Sequence, residues 1–247
     1  MMITELPFDS KFTTLVSCDS VYLHDHAPAF AASAAVYNNQ SHIHIINPEA
    51  DDLTFAYKLR DNMTRITKNA LLTISHENTD LSALSKEERR TYYACNRFLL
   101  ADELFNLNSG SLFITDVDSI FMAHIEEPNA QLGLFLRESI PNTIDWEQEG
   151  TKVAAGAVYY NKSIAWFAKK VADIIRNNEL RWFLDQMAIN SVYRKYKHEI
   201  TEFHQFTSQF LDWEFADGTS IWTGKGPRKF DNPRYVSQKN IFGALVS

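Results

Sequence analysis

Cysteine is scarce in this chain: Cys18 and Cys95 are the whole complement. Two thiols far apart in sequence and in no metal-ligand spacing exclude a disulfide scaffold and a cysteine-based zinc site, and lead us to expect two reduced, semi-buried thiols in a cytoplasmic protein. Long apolar runs are lacking too. No window reaches the ~18 uninterrupted apolar residues that a membrane span needs, so no membrane span is expected. The opening residues, MMITELPFDSKF, show no basic start followed by an apolar core, hence no expected signal peptide. Positive charge is in deficit: 24 Lys and Arg against 31 Asp and Glu give a net charge of −7. That balance argues against a nucleic-acid partner, which calls for a basic surface. Internal repeats, low-complexity tracts and domain linkers are absent as well.

What remains is an ordinary globular composition, 45% hydrophobic and 22% charged over 247 residues, enough for one sizeable domain spanning 1–247. Short β-branched or apolar runs alternate with helix-length segments. Phe12–Ser17, His42–Asn47 and Ala70–Ser75 read as strands, while Ala27–Tyr37, with Pro28 in its first turn, and Asp51–Asn62 read as helices. Ser85–Leu100 opens on Ser-Lys-Glu-Glu, a helix start with acidic residues in its first turn. Farther on, Gln131–Arg137 and Val153–Asn161 are strand-like, and Ser163–Asn177 and Leu180–Tyr196 helical. From Gln209 the chain is aromatic and glycine-punctuated, with few helix signals. The expectation is an α/β fold with a mostly parallel sheet flanked by helices and an irregular C-terminal third. Ligands in such sheets collect beyond the carboxyl ends of the strands.

One stretch stands out. Ser111–Met122, SLFITDVDSIFM, is an apolar lead-in that presents Asp116 and Asp118 around one valine. If the strand continues through both, their side chains emerge on the same face. Paired carboxylates are hard oxygen ligands suited to Mg²⁺ or Mn²⁺, with coordination positions left for phosphates and water. The bland alternative is a pair of turn aspartates. Near the C-terminus, Lys225, Arg228 and Lys229 share a loop with Gly224 and Gly226. It is either an exposed basic turn or a phosphate-closing lid, mobile until a donor arrives. His42 and His44 share one strand face, where alternating polar residues on a partly exposed strand are commoner than metal ligands. Trp213 and Trp222, near the basic loop, are candidates for an acceptor groove.

Taken together, four segments resemble the GT-A nucleotide-sugar glycosyltransferases, most closely the retaining family 8 type that includes glycogenin and bacterial lipopolysaccharide galactosyltransferases. They are TLVSCDSVYLHDHAPAFAASAAVY (Thr14–Tyr37), TYYACNRFLLADEL leading to FITDVDSIF, VAAGAVYYN followed by the Asp185-Gln186 pair, and TGKGPRK (Thr223–Lys229). The resemblance implies a GT-A-like, Rossmann-like fold. It implies nucleotide-sugar contacts at Cys18, Asp19, Tyr22, Arg97, Gly224, Lys225, Gly226 and Lys229, and a metal pair at Asp116 and Asp118. Catalytic roles beside the transferred sugar fall to Asp185 and Gln186. The implied reaction is metal-dependent transfer, with Mn²⁺ or Mg²⁺, from a nucleotide-diphosphate sugar, a UDP-sugar first among them. The acceptor would be a glycan or other hydroxyl compound, and configuration would be retained. Two positions depart from the family pattern. Ala155 stands where a sugar-contacting asparagine is usual, and Thr223 where a histidine normally completes the metal site. The alternatives are a haloacid dehalogenase-type phosphatase, with Asp116 as nucleophile, and a non-catalytic sugar-nucleotide-binding protein.

Overall fold

A computed structural model describes residues 12–69, 71–107, 110–137, 139–140 and 145–247. In chain order the first half comprises β1 (Thr13–Cys18), α1 (Ser20–Asp25), α2 (Ala27–Val36), β2 (Ser41–Ile46), α3 (Ala50–Ile66), β3 (Leu72–Glu77), α4 (Lys86–Asn106), β4 (Leu112–Ile114) and β5 (Ser119–Phe121). The second half adds β6 (Leu132–Leu136), α5 (Trp146–Gly150), β7 (Val153–Tyr160), α6 (Ala165–Arg176), α7 (Leu184–Tyr196), β8 (Phe203–Gln205), β9 (Leu211–Asp212), β10 (Ile221–Thr223), α8 (Arg228–Asp231) and α9 (Pro233–Ala244).

One seven-stranded sheet runs in the order β3-β2-β1-β4-β7-β6-β8. The β1–β2, β2–β3 and β1–β4 pairs are parallel, and β7 runs antiparallel to both β4 and β6. The mostly parallel α/β sheet expected from the sequence is therefore present. Strand β1 lies between β2 and β4, so the chain leaves it in one direction and returns on its other side only after two further crossovers. The carboxyl ends of β1 and β4 open a crevice at this reversal, the position where open α/β sheets bind ligands.

Local signals explain most elements. Helix α4 carries the expected capping box: Ser85 Oγ accepts from Glu88 N at 3.2 Å and Glu88 Oε2 accepts from Ser85 N at 2.8 Å, an arrangement worth about 1 kcal/mol. Helix α2, APAFAASAAV, is buried along nearly its whole length because alanines let α3 and α9 pack close on it. The third strand begins at Leu72 rather than at Ala70, which lies outside the described residues.

The structure corrects three expectations. Asp116 and Asp118 are not on a strand: β4 ends at Ile114, and both aspartates occupy the turn that leads into β5. His42 and His44 lie on a fully buried strand, not a partly exposed one. Their rings bond to Thr73 and Ser75 hydroxyls at 2.7–2.8 Å, and burial, then the neighbouring His44, pushes His42 down to about 3. The C-terminal segment is also no free lid. Trp222 lies in β10, paired with β5, and α9 packs against α2. Helix α9 is poorly announced by pattern because Tyr235 and Phe242 are its only buried residues.

Candidate active site

A cleft of about 710 Å³ opens beyond the carboxyl ends of β1 and β4, within the size range of small-molecule sites. Its walls include every candidate site residue: Cys18, Asp19, Tyr22, Arg97, Asp116, Asp118, Asp185, Gln186, Gly224, Lys225, Gly226 and Lys229. Residues from one end of the chain to the other thus converge on one crevice. Thr223 and Ala155 line it too.

On the β1 side, Asp19 caps α1: its Oδ1 accepts from Tyr22 N at 2.9 Å. The cap fixes the first turn of the helix and so the position of the half-buried Tyr22 ring. Cys18, buried to 3% exposure, is part of the wall. Burial, followed by the charges of Asp19 and Asp52, drives its thiol pKa far up, so it stays neutral and unreactive. Cys95 is likewise buried and free, and both thiols are more deeply enclosed than expected.

At the centre, Asp116 and Asp118 each meet a cation. Arg97, projecting from α4, donates from Nη1 to Asp116 Oδ1, and its Nη2 reaches Asp185 Oδ2 at 3.4 Å. One buried guanidinium therefore ties the aspartate pair to the first turn of α7. Burial works against its charge, but Asp116 and then Asp185 outweigh that and raise its pKa. Lys229 Nζ donates to Asp118 Oδ2 at 2.7 Å and to the Tyr22 hydroxyl at 2.8 Å. Asp118 is held from its backbone as well, its carbonyl accepting from the Tyr235 hydroxyl at 2.6 Å and from Gly224 N at 3.1 Å.

Burial and the neighbouring Asp116 lift Asp118 to about 6, despite the opposing charges of Lys229 and Arg97. Burial also lifts Asp185 to about 6. Asp116 is the more open of the metal-candidate pair, with a side chain 40% exposed against 8% for Asp118.

Asp185 Oδ1 accepts from Gln186 N at 2.8 Å. The Gln186 amide, in the orientation that satisfies its surroundings, donates to Gly150 O at 3.0 Å and to Val153 O. Phe183, just before this helix, sits in the left-handed region at φ 72°, a conformation uncommon outside glycine. The loop that carries the basic residues turns at Gly226, whose φ of 63° suits glycine. Its two lysines diverge: Lys229 bonds to Tyr22 and Asp118, whereas Lys225 Nζ lies 4.8 Å from the centre of the Trp213 ring. Trp213 lines the cleft, while Trp222 is buried and donates to Ala216 O at 2.9 Å.

Sequence reasoning did not single out Gly156 or Arg137 as site residues. Gly156 underlies Asp116 so closely that a Cβ there would meet Oδ2 at 2.7 Å. Arg137 enters the cleft from the end of β6, and Trp182, 49% exposed, stands at its rim with Arg90 over the ring. The glycine inside VAAGAVYYN was a usable signal for Gly156, since glycine within a strand often marks a close approach. Arg137 carries no comparable mark, whereas the tryptophans, Trp182 among them, read from the sequence as core or pocket walls.

Among the described residues, no group of three or more His, Cys, Asp or Glu side chains could hold a metal ion. Nor is any helix among them long and apolar enough to cross a membrane.

Neither protein-family models nor curated proteins match the sequence. Solved structures do. The chain is similar to the galactosyltransferase LgtC, solved in complex with donor and acceptor sugar analogs, with a TM-score of 0.62, 12% identity, and coverage of 95% of this chain and 95% of that one. It is also similar to the bifunctional glycosyltransferase WbbM in its apo form, with a TM-score of 0.60 and 12% identity over 96% of this chain and 50% of that one. At identities this low the structural likeness shows the fold alone, and that fold is GT-A-like.

Proposed function

We propose that this chain is a metal-dependent glycosyltransferase. It moves a sugar from a nucleotide-diphosphate donor, a UDP-sugar first among candidates, to the hydroxyl of a glycan or other acceptor, with retention of configuration. The observation that carries the reading is the meeting of Asp116, Asp118, Lys229 and Tyr22 in one cleft at the sheet's reversal point, in a fold shared with sugar-transferring proteins.

The residues fit a hard divalent cation. Asp116 and Asp118 each spend one oxygen on a cation, Oδ1 on Arg97 and Oδ2 on Lys229, and each keeps the other. Two carboxylates plus substrate phosphates are an ordinary ligand set for Mg²⁺, which retains several waters. With Thr223 where the resemblance places a histidine, phosphate oxygens and water would complete the ligand set. When bound, the ion supplies positive charge against that developing on the leaving diphosphate.

The remaining roles belong to the chain. Lys229, kept cationic by Asp118 despite burial, lies close enough to that carboxylate to share an incoming phosphate. Tyr22 offers a ring for the nucleobase. Asp185 and Gln186 flank the transferred sugar, one holding its hydroxyls and the other facing the anomeric carbon, with Arg97 fixing Asp185 in place. Neither alternative reading gains an observation.

The test is calorimetric titration of UDP with and without Mn²⁺, alongside assays of donor hydrolysis across a panel of nucleotide sugars. Asp116→Asn and Asp118→Asn conserve volume and remove charge, so both should abolish metal-dependent UDP binding in a folded protein. Unchanged metal-dependent affinity would remove this pair from the reading.

A further inference from the structure

Most cations of the cleft are accounted for. Arg97 and Lys229 are bonded to carboxylates, and Arg90 is an exposed side chain over Trp182. Arg137 and Lys225 are different. Neither has a carboxylate partner among the described residues, although the chain as a whole is acidic. Both stand over the same ring: the Arg137 guanidinium carbon lies 4.9 Å and Lys225 Nζ 4.8 Å from the centre of Trp213. Two cations so placed are less than about 10 Å apart and repel each other.

The arrangement is held from three elements. Arg137 follows β6, with its N donating to Lys152 O at 2.8 Å, and Lys225 follows β10. Trp213 follows β9 and packs on Phe135 with ring centres 5.6 Å apart. Arg137 Nε is buried with no hydrogen-bond partner. Burial lowers the pKa of both side chains, and the charge of Arg137 lowers that of Lys225 further. Attraction to an aromatic face offsets only part of such a cost. Like charges brought together on the wall of a cleft, Arg137 half-buried and Lys225 exposed, are what an incoming anion would relieve.

The donor's diphosphate has its own cation in Lys229, on the Tyr22 side. Lys229 Nζ stands 4.6 Å from the centre of the Tyr22 ring and Lys225 Nζ 4.8 Å from that of Trp213, which places Lys225 on the Trp213 flank. We propose that Arg137 and Lys225, carried on Trp213, form an anion subsite selecting acceptors that bear an acidic group, carboxylate or phosphate, near the hydroxyl to be glycosylated. The inference rests on the transferase reading, with the cleft shared by donor and acceptor.

The test uses the whole chain saturated with UDP and Mn²⁺, so that the diphosphate position is filled. Glucuronic acid, glucose 6-phosphate and glucose are then titrated by ligand-observed NMR. An acidic sugar should bind about tenfold more tightly than glucose at low salt, and the margin should shrink as salt rises. Which acid binds more tightly distinguishes a carboxylate from a phosphate acceptor. Arg137→Gln and Lys225→Gln should each remove most of the preference, while UDP affinity of Arg137→Gln, measured separately, stays within about twofold of the parent. Equal affinity for glucose and both acids, or binding of none of the three, overturns the subsite. So does a loss of UDP affinity in Arg137→Gln, which would make it a donor-site cation. If UDP itself fails to bind, the transferase reading falls, and the same titrations without UDP still decide whether the anion subsite exists.

Discussion

Replacing Gly156 with alanine separates the fold from the site. Gly156 lies inside β7 with no left-handed φ, so alanine is acceptable to the backbone. The added methyl would meet Asp116 Oδ2 at 2.7 Å and its Cγ at 3.7 Å, with no other contact within 4 Å. Packing therefore leaves one group to give way, the Asp116 carboxylate. Reaching ordinary van der Waals separation requires it to retreat by roughly 0.5 Å. For stability, glycine in a strand interior costs about 0.5–1 kcal/mol relative to alanine, which offsets strain in the Arg97 bond. We expect Tm to move by no more than about 3 °C. For the site the shift is large, because Mg²⁺ demands near-ideal geometry at about 2.0–2.1 Å and functional groups tolerate only about 0.5 Å of displacement. Metal-dependent UDP affinity should fall about 10–100-fold, the scale seen when support for a metal ligand is lost. Differential scanning fluorimetry and calorimetric titration of UDP with Mn²⁺ read the two effects separately. Unchanged UDP affinity in a stable variant would show that Asp116 is not the constrained ligand argued here, and a collapse of Tm would refute the packing argument.

Three further outcomes follow from the same geometry. Thr223→His should tighten Mn²⁺ binding about tenfold, since imidazole is a better ligand than a hydroxyl and Thr223 borders the cleft opposite Ser119 in the β10–β5 pair; a folded variant with unaltered Mn²⁺ affinity would show that the TGKGPRK register is wrong. Glu77 is held down to about 2 because its 3.5 Å contact with His44 and its bonds from Tyr92 and Asn96 outweigh burial. Its contribution to stability is thus full above the ordinary value of 4.5 and is lost as pH falls from there toward 2. Glu77→Gln should lower Tm at neutral pH, by about 1–3 kcal/mol of stability, and flatten the fall of Tm across that window; parallel Tm curves for the two proteins would contradict it. Mn²⁺ and UDP should each raise the other's affinity by the same factor, and titrations of one at fixed levels of the other that show no coupling would argue against a shared site.

How legible the molecule was depends on the distance over which each feature is encoded. The early strands and the start of α4 were readable because their causes are local: β-branched runs, and a serine three residues before the glutamate that completes its capping box. Helix α9 has a local start signal in Asn232 and Pro233, but a face with two buried residues gives no periodicity to follow. Strand β8 is exposed throughout its three residues and leaves no pattern at all. The aspartate pair could be singled out as cleft residues but its geometry was misread, since nothing in SLFITDVDSIFM marks Ile114 as the last strand residue. Least legible were the charge pairings. Arg97 could be assigned to the cleft, yet only the folded chain shows one guanidinium bonded to both Asp116 and Asp185, because sheet order, not sequence neighbourhood, brings α4, the β4–β5 turn and α7 together. Those pairings constrain the chemistry more than the motif does. Asp116, Asp118 and Asp185 are opposed by Arg97 and Lys229, so the centre of the cleft carries slightly more negative than positive charge when all five are ionised. A diphosphate arriving alone would add to that excess and a divalent cation would reverse it. If the site takes both, as proposed, the balance at this centre, apart from the Arg137 and Lys225 flank, would favour the two entering together, with each repairing the imbalance that the other creates.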